Sequence, residues 1–210
     1  MFYLIKIIGI ISMLIDHIGV VFFPHVFLFR VIGRLSMPLF AWGIAYGYRK
    51  TKNFKIYAFR ILLLAVVSQY PYYILFKNEC LNICFTLVAG LFCIHIYELK
   101  KPLVLRILYI GTICFIVHIF DFEYGIYAVL LVLIYHIFYR KYYILFPLIV
   151  ALTLWSIDLY NYNSIQIISV TSLGLIFLLE KSNFRINKII NYSFYPVHML
   201  FLLIARMYIQ

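Results

Sequence analysis

Charge is scarce in this chain of 210 residues: Asp, Glu, Lys and Arg together make up 12% of it, where a soluble domain carries about 25%. Apolar residues make up 66%, more than a soluble fold of this size can hide, so a soluble class is excluded. No polar stretch is long enough to form a second, soluble domain, and residues 1–210 read as one domain. Cysteine is sparse and badly spaced for metal. Cys80, Cys84, Cys93 and Cys114 lack ligand spacing, so no metal is expected. Three of them lie in apolar runs and read as buried free thiols, and Cys80, in a loop, is expected to be the exposed one. No cleavage-site pattern follows Met1-Phe2, which predicts an uncleaved membrane anchor.

What remains is a succession of apolar runs. They predict an all-α, polytopic transmembrane bundle of about nine spans, over 4–23, 30–48, 57–76, 83–98, 103–120, 124–139, 142–159, 164–180 and 189–208. The net charge of +11 suggests nucleic acid in a soluble protein, but here the basic residues fill short breaks between spans. Lys6, Arg49, Lys50, Lys52, Lys55, Arg60, Lys100, Lys101, Arg106, Arg140, Lys141, Lys181, Arg185 and Lys188 fall on one side. Arg30, Arg34, Lys77 and Arg206 fall on the other. The positive-inside rule makes the first side, and the N-terminus, cytoplasmic, and leaves membrane lipid rather than nucleic acid as the surrounding partner.

Inside this apolar background Asp16-His17 stands out. A charge within hydrocarbon costs roughly 2.5–3.5 kcal/mol on insertion scales, so such residues are functional candidates unless they sit at a wet helix end. Lys6 and His17 are eleven residues apart, which on a helix places them within roughly 20° of one face and about 16 Å apart along it. That face carries a cation at the cytoplasmic mouth and a base deeper in the membrane, although Lys6 would also serve as a simple snorkelling anchor. Asp16 diverges from His17 by about 100°. Its natural partners are Arg30 and Arg34, which open the next helix on the same side. His198 follows Pro196, which opens the helix backbone locally, and it is either a site residue or a core His bonded to a carbonyl. Gln69 and Asn82 are weaker polar candidates, and Tyr195 is expected to line the cavity with His198.

The stretches KIIGIISMLIDHIGVVFFP, FRVIGRLSMPLFAWGIAYGYRKTKN, YAFRILLLAVVSQYPY, NICFTLVAGL, DFEYGIYAVLLVLIY and YSFYPVHML together resemble the TraX family. Its namesake is a conjugation protein that acetylates the N-terminus of pilin. The likeness runs in order from residue 6 to about 201. The Lys6–His17 spacing is also similar to that of the membrane acyltransferase-3 family, which acylates external targets from cytoplasmic acyl-CoA. This chain is much shorter than that family and places Asp16 before the His. The resemblance implies that His17 is the catalytic base, with Asp16 beside it.

The expectation is therefore an acetyl-CoA-dependent acyltransferase. Acetyl-CoA would be a cosubstrate whose phosphates meet Lys6, Arg49, Lys50, Arg60, Arg140 and Lys141. A peptide amine or an envelope acceptor would arrive from outside, toward Arg30, Arg34, Tyr195, His198 and Gln69. A sugar or envelope O-acetyltransferase is the nearest alternative. A non-catalytic membrane scaffold and a solute or proton-coupled transporter are the alternatives of other classes, though a transporter usually shows inverted repeats, and none is visible.

Overall fold

The computed structural model describes residues 3–160, 164–180 and 188–209. Lys181 and Arg185 of the basic set lie outside these, as does the side chain of Lys188. Among the described residues the chain forms helices and no strand. Only an isolated bridge joins Leu81 to Phe122.

Helix α1 is Tyr3–Phe22 and α2 is Phe27–Gly33. They are followed by α3 (Ser36–Lys50), α4 (Phe54–Phe76) and α5 (Ile83–Tyr97). Then come α6 (Leu103–Ile119), α7 (Gly125–Ile137) and α8 (Tyr142–Tyr160). A 3-10 stretch, Ser164–Thr171, runs into α9 (Ser172–Leu179), and α10 is Lys188–Ile209. Among the described residues four helical rods are long and apolar enough to cross a membrane: Leu4–Phe22, Phe27–Lys50, Phe54–Phe76 and Tyr142–Tyr160. The other apolar stretches among the described residues, Ile83–Tyr97, Leu103–Ile119, Gly125–Ile137, Ser164–Leu179 and Ser193–Ile209, are shorter, with turns taking some residues of the expected spans. One such turn holds Asp121 and Tyr124 at φ 45° and 62°, followed by Gly125 at φ 51°, a conformation glycine adopts without penalty.

Local chemistry sets the boundaries. The Asn53 side chain accepts from the Ile56 N–H at 3.1 Å and caps α4, and Asn82 accepts from the Cys84 N–H at 3.0 Å and caps α5. Prolines 71, 147 and 196 lie inside helices, which apolar bundles tolerate when neighbours satisfy the freed groups. Helix α7 is central and almost wholly buried, against α3, α5, α6 and α8. Helix α6, by contrast, buries only Val117 and turns an apolar face outward.

The helix expected over 30–48 lies within the stretch Phe27–Lys50, interrupted by a turn at Arg34-Leu35 whose backbone stays in the helical region. Helices α2 and α3 both pack against α1, and Ser12 donates to the Ile32 carbonyl. Gly33 touches the Asp16 carboxylate so closely that a β-carbon there would overlap it. Cys80 also departs from expectation. It is 6% exposed, because the loop folds inward and sets its Sγ 3.1 Å from the Tyr72 hydroxyl.

Candidate functional site

Helix α1 delivers one stripe to the bundle interior. Lys6, Ile10 and Met13 line a cavity of about 780 Å³, counting its open mouth, and His17, one turn beyond, lines another of about 600 Å³. The first cavity is largely apolar. Phe40, Ile44, Ile61, Leu64 and Leu87 wall it, with Tyr57 near Lys6, and Cys84 and Tyr195 also line it. The second is polar, with Asp16, Arg30, Asn78, Glu123 and Tyr124 around His17.

A histidine pair links residues of the two cavities. His17 Nδ1 is 2.8 Å from His198 Nε2, and His198 Nδ1 is 2.8 Å from the Phe194 carbonyl oxygen. A carbonyl only accepts, so His198 Nδ1 carries the proton. In the neutral ring its Nε2 is then an acceptor, and His17 Nδ1 must donate to it. The chain of bonds thus assigns the tautomer of His17 and leaves its Nε2 lone pair as the group available to accept a proton. His198 is both things the sequence allowed: bonded to a carbonyl and part of the site. Phe194, whose carbonyl ends the chain, lines the apolar cavity.

The two arginines part company at the helix break. Arg30 binds Asp16 at 2.8 Å and lines the polar cavity. Arg34 instead donates to the Gln166 Oε1 at 3.0 Å, in the 3-10 stretch. Burying Asp16 beside Arg30 keeps both charges compensated. Gln69 lies apart from both cavities. Its amide donates to the Cys80 carbonyl at 3.1 Å and accepts from Asn82 N–H and Nδ2 at 3.0 and 2.8 Å, holding the loop before α5.

Of the remaining cations, Lys50, Arg60 and Lys141 are exposed. Arg49 donates to the His136 carbonyl and lies 4.5 Å over the Tyr139 ring, and Arg140 pairs with Glu180 at 3.1 Å. These contacts gather the C-terminal ends of α3, α7 and α9 at the Lys6 end of the molecule.

The TraX protein family, by its sequence profile, matches residues 2–206. The chain belongs to the TraX family. Over nearly its whole length, this TraX chain is similar to a probable fimbrial assembly protein FimC (serogroup H1) of Dichelobacter nodosus, 25% identical over 98% of this chain and 96% of that protein. An uncharacterised protein, RP591, of Rickettsia prowazekii (strain Madrid E) is 38% identical over 36% of this chain, which spans 28% of that relative's length. No solved structure matches the chain.

Asn78 and Tyr124 of the polar cavity were not singled out in the sequence, nor were two residues with more to do. Glu123 lines the polar cavity, and Gln166, 1% exposed, holds Arg34. The signal for Glu123 was rarity, since the chain has only seven acidic residues. Nothing local marked Gln166.

Proposed function

We propose that this protein is a multi-pass membrane acetyltransferase, with its basic end cytoplasmic, that carries acetyl from acetyl-CoA to an amine at the outer face. The observation that carries this reading is the hydrogen-bonded chain His17–His198–Phe194, whose first member lines a polar cavity with Arg30 and whose last lines an apolar cavity with Lys6. A thioester arm needs an apolar slot behind a cationic mouth, and an amine acceptor needs a polar basin with a base. Lys6 and the exposed Lys50, Arg60 and Lys141 would meet the phosphates of acetyl-CoA, with Arg49 and Arg140 beside them.

His17 Nε2 accepts the amine proton as nitrogen attacks the thioester carbon, and returns it to the departing sulfur. His198 holds the tautomer and, through the Phe194 carbonyl, shares the charge that forms on the pair. Arg30, fixed by Asp16, supplies positive potential where the carbonyl oxygen gains charge. Membership of the TraX family supports a pilin-like acceptor, and the Dichelobacter relative's name points to the same kind of surface polymer. The Lys6–His17 spacing supports acyl-CoA as the donor.

Release of free CoA from acetyl-CoA by the purified protein, with an acceptor peptide, tests the chemistry. His17→Ala is expected to lower the rate by about a hundredfold or more. His198→Ala should lower it less, and the double variant should be no slower than His17→Ala, since the two act as a unit. Equal release by wild type and His17→Ala would remove His17 from catalysis.

A further inference from the structure

The polar cavity holds one carboxylate that the steps above leave unused. Glu123 lies in the turn between α6 and α7 and lines both the His17 cavity and a second polar cavity beside it, shared with Asn78, His118 and Asp121. Its position is fixed from three directions. The Glu123 N–H donates to the Leu81 carbonyl at 2.8 Å, its own carbonyl accepts from Thr86 Oγ1 at 2.7 Å, and its Oε2 accepts from the Ile83 N–H at 2.9 Å. The other carboxylate oxygen, Oε1, makes no hydrogen bond among the described residues. Asp16, the other acid of this cavity, is already held by Arg30.

Proton accounting gives that oxygen a task. A peptide amino terminus has a pKa near 8 and meets the cavity as an ammonium without a lone pair. It must lose one proton before it can attack and a second as the amide forms. His17 has a single lone pair to offer.

We propose that Glu123 is a further catalytic residue: its free carboxylate oxygen binds the acceptor ammonium and takes the first proton, leaving His17 to take the second. The assignment rests on the amine-acetylation reading above. In sequence, R–NH3+ gives a proton to the Glu123 carboxylate. The neutral amine attacks the thioester carbon, the C–N bond forms and the C–S bond breaks. The second proton passes through His17 to the thiolate. The products are the acetamide and CoA thiol, and Glu123 releases its proton to outer water. Burial pushes the Glu123 carboxyl up to about 7, against the pull of the Ile83 N–H bond, which brings it close to an amino terminus and makes the transfer nearly balanced.

The test uses two acceptor peptides that differ only at their end: one with an ordinary amino terminus, one with an aminooxy group whose nitrogen is unprotonated at neutral pH. Glu123→Gln keeps an oxygen for the Ile83 N–H and cannot take a proton. It is expected to acetylate the amino peptide about a hundredfold more slowly than wild type, and the aminooxy peptide within about threefold of it. Glu123→Asp should recover part of the lost rate on the amino peptide. Equal loss on both peptides would make Glu123 structural and overturn the assignment, as would full retention on both. Failure of the wild-type protein on both peptides would remove amine acetylation first, and this role with it.

Discussion

Glu123 ties stability to pH in a direction opposite to its proposed use. Burial raises its carboxyl from an ordinary value of 4.5 to about 7. The fold therefore favours the protonated form. That contribution is complete below 4.5 and is lost as the pH rises through about 7. Melting temperatures of wild type and Glu123→Gln, measured from pH 5 to 8, should show wild type losing ground as the pH rises, while its activity on amines rises. A constant difference between the two would contradict the raised carboxyl. At this scale the sequence was legible wherever a charge sat in an apolar helix. Asp16, His17, Arg30 and His198 stood out for that reason, and the structure brings them together. Glu123 lies in a short turn, where an acid is unremarked until the fold brings it to His17. Cys80 was misread on the same basis, since a loop position does not reveal that the loop turns inward onto Tyr72.

The elements make the site by interruption as much as by regularity. The stripe of Lys6, Ile10, Met13 and His17 on α1 follows directly from helical spacing. The division of labour between Arg30 and Arg34 falls at the turn between α2 and α3. Local signals mark the turn within residues 30–48, because Pro38 has no N–H for the Arg34 carbonyl and Gly33 lies just before it. It is fixed by distant partners, Asp16 for Arg30 and Gln166 for Arg34, and by the close approach of α2 to α1. Small residues permit such approaches where helices meet in apolar surroundings. Gly33→Ala should consequently cost about 1–3 kcal/mol, because its β-carbon must displace the Asp16 carboxylate. Gly9→Ala on α1 is the comparison: its β-carbon would meet only ordinary contacts, the nearest at 3.5 Å. Similar melting losses for the two would argue against the tight α1–α2 contact.

At the scale of the whole molecule, Lys6 lines the apolar cavity at the end where most basic side chains lie, and Asp16, Asp121 and Glu123 gather around the polar cavities. Composition made the helical class legible, and the Lys and Arg pattern suggested the two ends. The cavities were not legible, because each is assembled from helices far apart in sequence: α1, α3, α4, α5 and α10 for the apolar one. The central claim is that acetyl enters at the basic end and leaves on an amine at the other. Sealed proteoliposomes holding labelled acetyl-CoA inside, with the acceptor peptide outside only, measure this directly. The account predicts labelled acetyl on the external peptide with wild type and almost none with His17→Ala. Label on the peptide only when donor and acceptor share one compartment, or equal label with both proteins, would contradict it.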